Sequence, residues 1–121
     1  MEEKNKRIPV SPKDLFEAFK SLFDEAPEQF VIIWFGGNNK IIDFHIAASS
    51  PTENILKGAM APIATGAAVL QGRSRNSEIS KEDVDFARKL SHYGKEIVLE
   101  LYDYITITGD SFTSFAESRL L

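Results

Sequence analysis

The sequence has no cysteine among its 121 residues, one tryptophan, and only two histidines, His45 and His92. Without a thiol there is no thiolate nucleophile, no disulfide and no cysteine-ligated zinc, and such a chain sits most easily in a reducing cytoplasm. Long apolar runs are also missing. None approaches the ~18 residues of a membrane span, and the opening MEEKNKRIPV lacks the apolar segment of a secretion signal. The expectation is a soluble cytoplasmic protein with no membrane partner. Positive charge is scarce as well: 14 Lys and Arg against 18 Asp and Glu leave a net charge of -4. Phosphate neutralisation supplies most non-specific nucleic-acid affinity, so nucleic acid is not expected as a partner. GGNN and TGDS are turns, since neither has the glycine spacing followed by Lys and a helix that marks a phosphate loop.

What is present fits one domain, long enough to bury a core without metal or disulfide. Residues 1–8 read as a flexible tail and residues 9–121 as a single domain. In SPKDLFEAFKSLFDEA, the residues Leu15, Phe16, Phe19, Leu22 and Phe23 recur at helical spacing and predict one amphipathic helix. FVIIWF is a continuous apolar strand, with Trp34 as core, and KIIDFHIAA returns through GGNN as its hairpin partner. SPTEN starts a second helix carrying Ile55, Leu56, Ala59, Met60 and Ile63, with a kink or early end at Pro62. AAVL is a short buried strand. SKEDVDFARKLSHYGKE is a third helix ending near Gly94. IVLELYDYITITGD makes one long or two short strands, and FTSFAESRLL a short final segment. The order αββαβαββ predicts an α/β (mixed α+β) fold, a mixed sheet with helices on its faces.

All three helix starts share one pattern. Ser11 precedes Asp14, Ser50 precedes Glu53 and Ser80 precedes Asp83, each by three residues. The hydroxyl accepts from a free backbone N–H while the carboxylate reaches back, a reciprocal cap that stabilises by about 1 kcal/mol. Capping alone explains Asp83, although a carboxylate there also suits a metal ligand or general base.

The stretch LQGRSRNSEISKED, residues 70–83, runs from strand through polar loop to helix, a junction where α/β proteins often place ligands. It holds neither His nor Cys. Arg73 and Arg75 could grip a carboxylate or phosphate, or stand as solvated loop charges. Ser74, Ser77 or Ser80 with His45 and an acid would make a hydrolytic triad only if their geometry converged. His92, near the end of a helix, suits the dipole as a cation.

Several strings carry a family resemblance. VSPKDLFEAF looks like an SP-x-[DE] helix start and SKEDVDFARKL like an S-x-x-D helix. YDYITITGDSFTSFAESRLL is similar to the ending D-H-I-I-I-G-D-G-x-Y-x-S-F-x-E-x-G-L-L. From about Pro9 to Leu121 the chain resembles the C-terminal domain of RadC-type proteins, in the JAB/MPN (JAMM) superfamily of zinc-dependent isopeptidases. The resemblance implies a three-layer JAB/MPN-like (cytidine-deaminase-like) fold, here without the helical N-terminal half of full-length RadC proteins. It also implies zinc, held by two His of H-x-H-P and the Asp of S-x-x-D, with a Glu on an earlier strand as general base. Only Ser80 and Asp83 match. The H-x-H-P slot falls on Leu70 to Arg73, putting Leu70 and Gly72 in the imidazole places, or on Gly72 to Arg75, putting Gly72 and Ser74 there. The Glu slot falls near His45.

The expectation is therefore a vestigial site of His45, Leu70, Gly72, Ser74, Ser80 and Asp83, with Arg73 and Arg75 as a possible anion-binding loop and no metal or other cofactor. The function expected is a non-catalytic interaction or regulatory module, with a protein partner or self-association. The alternatives are a hydrolase with altered ligands such as His45, Asp83, Glu78 or Glu82, and a DNA-repair role implied by the family name. Nine phenylalanines suggest an exposed aromatic patch as an interface.

Overall fold

The computed structural model describes residues 11–25, 27–37, 40–47, 64–73 and 78–121. The N-terminal tail, the helix expected from SPTEN with its cap at Ser50 and kink at Pro62, and loop residues Ser74, Arg75 and Ser77 lie outside them. The described elements are helices α1 (Pro12–Phe19), α2 (Leu22–Glu25) and α3 (Lys81–Glu96), and strands β1 (Phe30–Phe35), β2 (Ile41–Ala47), β3 (Gly66–Gly72), β4 (Glu100–Thr108) and β5 (Ser111–Ser114). They form one sheet in the order β2-β1-β3-β4-β5. Only β3 and β4 run parallel, joined through α3, and the other neighbours are antiparallel. This is the mixed sheet the sequence predicts.

Alternation along the strands divides the core in two. Ile32, Trp34, Ala67, Val69 and Tyr104 face α3 and meet its Ala87 and Leu90. Val31, Ile33, Phe35, Ala68, Leu70, Ile105 and Ile107 face the other way, onto Leu15, Phe16 and Phe19 of α1 and Phe23 of α2. The result is three layers, helix on sheet on helix. β1 is buried along nearly its whole length because it lies between β2 and β3 and is covered on both faces.

Some boundaries differ from the sequence reading. The first helix breaks after Phe19: the Phe23 N–H bonds to the Lys20 carbonyl and the Asp24 N–H to the Ser21 carbonyl, a tighter three-residue spacing. β3 extends beyond AAVL to Gly72. α3 passes through Gly94 and ends at Glu96. Gly94 is needed inside the helix because a Cβ there would sit 2.4 Å from the Leu99 carbonyl oxygen. β4 is one strand, but its pairing with β3 slips between Ala67 and Ala68, which breaks the alternation of LELYDYITIT. The expected phenylalanine patch does not form either. Phe16, Phe19, Phe23, Phe35 and Phe115 are buried, and the exposed large apolar residues among those described are Val98 and, on β2, Ile41, Ile42, Phe44 and Ile46.

Candidate functional site

The C-terminal end of β3 and the first turn of α3 meet at one point, fixed first by backbone chemistry. The Arg73 N–H donates to the Ile107 carbonyl at 2.8 Å, so the chain leaves the sheet still tied to β4. Ser80 caps α3. Its Oγ accepts the Asp83 N–H at 3.1 Å while Asp83 Oδ2 accepts the Ser80 N–H at 2.7 Å. This is the reciprocal cap read from the sequence. At Ser11 the hydroxyl accepts from the Asp14 N–H at 3.1 Å.

The second oxygen of Asp83 is also committed. Arg73 places Nη1 2.7 Å from Asp83 Oδ1, with both side chains largely buried, and donates from Nη2 to the Glu78 carbonyl at 3.3 Å. The Nε–H of the same guanidinium is buried with no hydrogen-bond partner among the described residues. Burial raises the Asp83 carboxyl, but the Ser80 N–H, the Arg73 hydrogen bond, the Ser80 hydroxyl and the Arg73 charge together bring it below its ordinary value. It stays ionised and fully bonded.

Beneath this pair lies a second one. The Tyr104 hydroxyl donates to Gln71 Oε1 at 2.5 Å. Burial, and then the negative charge of Asp83, push the phenol far above its ordinary value, against a smaller opposing effect of Arg73. Neither group suits proton transfer, because a general acid or base works best with a pKa near the working pH.

Of the residues in the two H-x-H-P registers, strand parity places Leu70 and Gly72, while Ser74 lies outside the described residues. Leu70 is buried among the residues facing α1. Gly72 is turned the same way, since a Cβ there would sit 1.9 Å from the Pro27 carbonyl oxygen and 2.7 Å from the Phe23 ring. Neither can line a site built around Asp83. The residues on the Asp83 side are Gln71 and Arg73, two apart and on one face. Tyr104, another residue the sequence reading did not single out, stands where the D-H-I pattern has its His. The signal for it was the D-Y-I string itself.

The other named residues lie apart. His45 is on β2, opposite Ile32 of β1, so β1 and β3 stand between it and Tyr104 on β4, roughly 14 Å at ordinary strand spacing. His92 is exposed, its Nε2 3.7 Å from Glu96 one turn on. Glu78 offers its carbonyl, not its carboxylate, and Glu82 is exposed in the first turn of α3. Arg73, committed to Asp83 and Glu78, is not a free anion grip. An open depression of about 810 Å³ lies at the other end of α3, lined by residues that include Ser91, Lys95, Leu99 and Glu100.

A zinc ion does not fit the residues present. It needs three or four convergent N, O or S donors, and among the described residues no group of three His, Cys, Asp or Glu could hold a metal. The one carboxylate at the expected place already carries a guanidinium on Oδ1 and a backbone N–H on Oδ2.

A sequence model of the RadC-like JAB domain matches residues 9–120. The chain is 24% identical over 119 residues to a UPF0758 protein of Aquifex aeolicus (strain VF5). That alignment covers 92% of this chain and 52% of the relative, so the chain spans about half the length of the curated relative it matches. A three-layer fold with its polar cluster where β3 runs into α3, together with a match over nearly the whole sequence, places the chain in the RadC-like JAB domain family.

Proposed function

We propose that this RadC-like JAB domain is non-catalytic and serves as a protein-interaction or regulatory module in the cytoplasm. The observation that carries the reading is the 2.7 Å pair between Arg73 and Asp83. A guanidinium supplies the positive charge that a carboxylate in this position needs, and it does so without an exchangeable water. Metal-assisted hydrolysis requires an open coordination position at which water is activated. Arginine keeps its proton under all working conditions. Gln71 and Tyr104 complete the cluster with a neutral hydrogen bond. Among the described residues the site is thus closed by its own side chains.

A hydrolase built on His45 and Asp83 has little support: Asp83 is paired with Arg73 at the end of β3, and β1 lies between β3 and the strand β2 that carries His45. A DNA-repair role by direct duplex binding has none in the net charge of -4. The test is an isopeptide and peptide hydrolysis assay with zinc in excess. No turnover above buffer is expected. Turnover that disappears in Asp83→Ala would overturn the reading.

A further inference from the structure

Among the described residues β2 is an edge strand, and its exposed side chains on the α1 face are apolar: Ile42 is 36% exposed, Phe44 43% and Ile46 44%. Proteins usually blunt such an edge with lysine, proline or a covering element, because its free N–H and C=O groups invite another strand. The direction of those groups follows from parity. Gln29 and Phe35 turn their carbonyls to β3, accepting from Gly72 and Thr65. Ile32 and Trp34, at the alternate positions of β1, therefore turn theirs to β2, where they face His45 and Asp43. Ile42, Phe44 and Ile46 are left pointing outward. The Phe44 N–H bears this out, since it bonds not to β1 but to Asp43 Oδ1, at 2.8 Å.

We propose that β2 pairs antiparallel with β2 of a second copy of this chain, Phe44 opposite the partner's Phe44 across a two-fold axis. In that register the sequence Ile42-Asp43-Phe44-His45-Ile46 is complementary to itself. Ile42 meets the partner's Ile46, and Asp43 meets the partner's His45. The apolar row lies on the α1 face, where the Phe44 ring already packs edge-on against Phe19 at 5.2 Å. The Asp–His pairs lie on the α3 face, opposite Trp34 and Ile32. Centring the axis on Asp43 sets carboxylate against carboxylate, and centring it on His45 sets Asp43 against Ala47, so only the Phe44 register satisfies both charge and apolarity. About six main-chain hydrogen bonds form. The Asp43 carboxylate that caps the Phe44 N–H in the single chain changes partner to the His45 imidazole of the second copy.

The pairing names a partner for the interaction role and rests on it to that extent. Its surface is separate from the Arg73–Asp83 cluster, so a failure here leaves the account of that cluster standing, and a catalytic protein could still dimerise this way.

Sedimentation equilibrium of the whole chain from micromolar to millimolar concentration tests it. The mass is expected to rise from 13.5 kDa towards twice that value. Phe44→Lys, which also gives up the ring contact with Phe19, should hold it at the monomer while the chain stays folded, and Ile46→Lys serves if that variant fails to fold. His45→Asp opposes two carboxylates at two symmetric places and should weaken pairing about tenfold. The double variant Asp43→Lys/His45→Asp should restore it. A monomer at every concentration, a dimer indifferent to Phe44→Lys, or a double variant no better than His45→Asp would overturn the proposal.

Discussion

At Asp83 two demands meet on one carboxylate. The helix needs an acceptor for the Ser80 N–H, and the buried Arg73 needs an anion. Asp83→Ala removes both, leaving a buried guanidinium unpaired, and is expected to lower stability by about 2–3 kcal/mol. Ser80→Ala, which removes only one capping acceptor, should lower it by about 1 kcal/mol. Acid separates this carboxylate from the other buried one. Asp103 is fully buried, accepting from Ser114 Oγ and from the Tyr104 and Ala116 N–H groups, and burial raises its carboxyl above the ordinary 3.8 despite those bonds. The Asp83 carboxyl is depressed, so its stabilisation is complete above 3.8 and lost as the pH falls through its lower folded value. Asp103 acts in the opposite sense. The penalty of its buried charge is complete above its raised folded value and disappears as the pH falls below 3.8. Urea unfolding between pH 3 and pH 7 should therefore show Asp83→Ala flattening the acid loss of stability. Asp103→Asn should help more at pH 7 than at pH 3. The reverse pattern would contradict these assignments.

At the scale of elements, helix ends were less legible than helix starts. A cap such as Ser80-x-x-Asp83 is local chemistry, written in four consecutive residues, and it was readable. The end of α3 is a Schellman turn: the Leu99 N–H bonds to the Gly94 carbonyl and the Val98 N–H to the Lys95 carbonyl. That turn needs a residue at positive φ, usually glycine, so Gly94 looked like the stop. Instead Val98 takes φ 59, and Gly94 is spent on the close approach of Leu99. A second turn of the same kind closes the chain, with the Leu120 N–H on the Phe115 carbonyl and Arg119 at φ 59. Arg119 stands where the pattern E-x-G-L-L has glycine. A β-branched residue at positive φ is strained, and Val98 is 87% exposed, so it has little packing to lose. Val98→Gly is expected to raise stability by about 1 kcal/mol by thermal unfolding; a loss would contradict the account. β3 was read short for a related reason. Gln71 and Gly72 look like loop residues, but Tyr104 satisfies the one and Pro27 leaves room only for the other. Such long-range contacts are invisible in a local pattern.

Across the whole molecule, the strand and helix order and the mixed sheet followed from hydrophobic period. The composition of the site did not. Loop length alone left the imidazole slots at Leu70 and Gly72 or at Gly72 and Ser74, whereas the pleat turns Leu70 and Gly72 toward α1 and sets Gln71 and Arg73 on the side of Asp83. The chain thus keeps the RadC-like JAB scaffold while a guanidinium and a phenol–amide pair fill the position where β3 enters α3. The central proposal is that Arg73, and not a metal, is the counter-ion of Asp83. It is tested most directly by titrating the protein with zinc at neutral pH while following the Asp83 side-chain carboxyl resonance by NMR. The expected result is an unmoved resonance at every zinc concentration. One equivalent of zinc bound tightly, with the Asp83 signal shifting in step and the binding lost in Asp83→Ala, would contradict it.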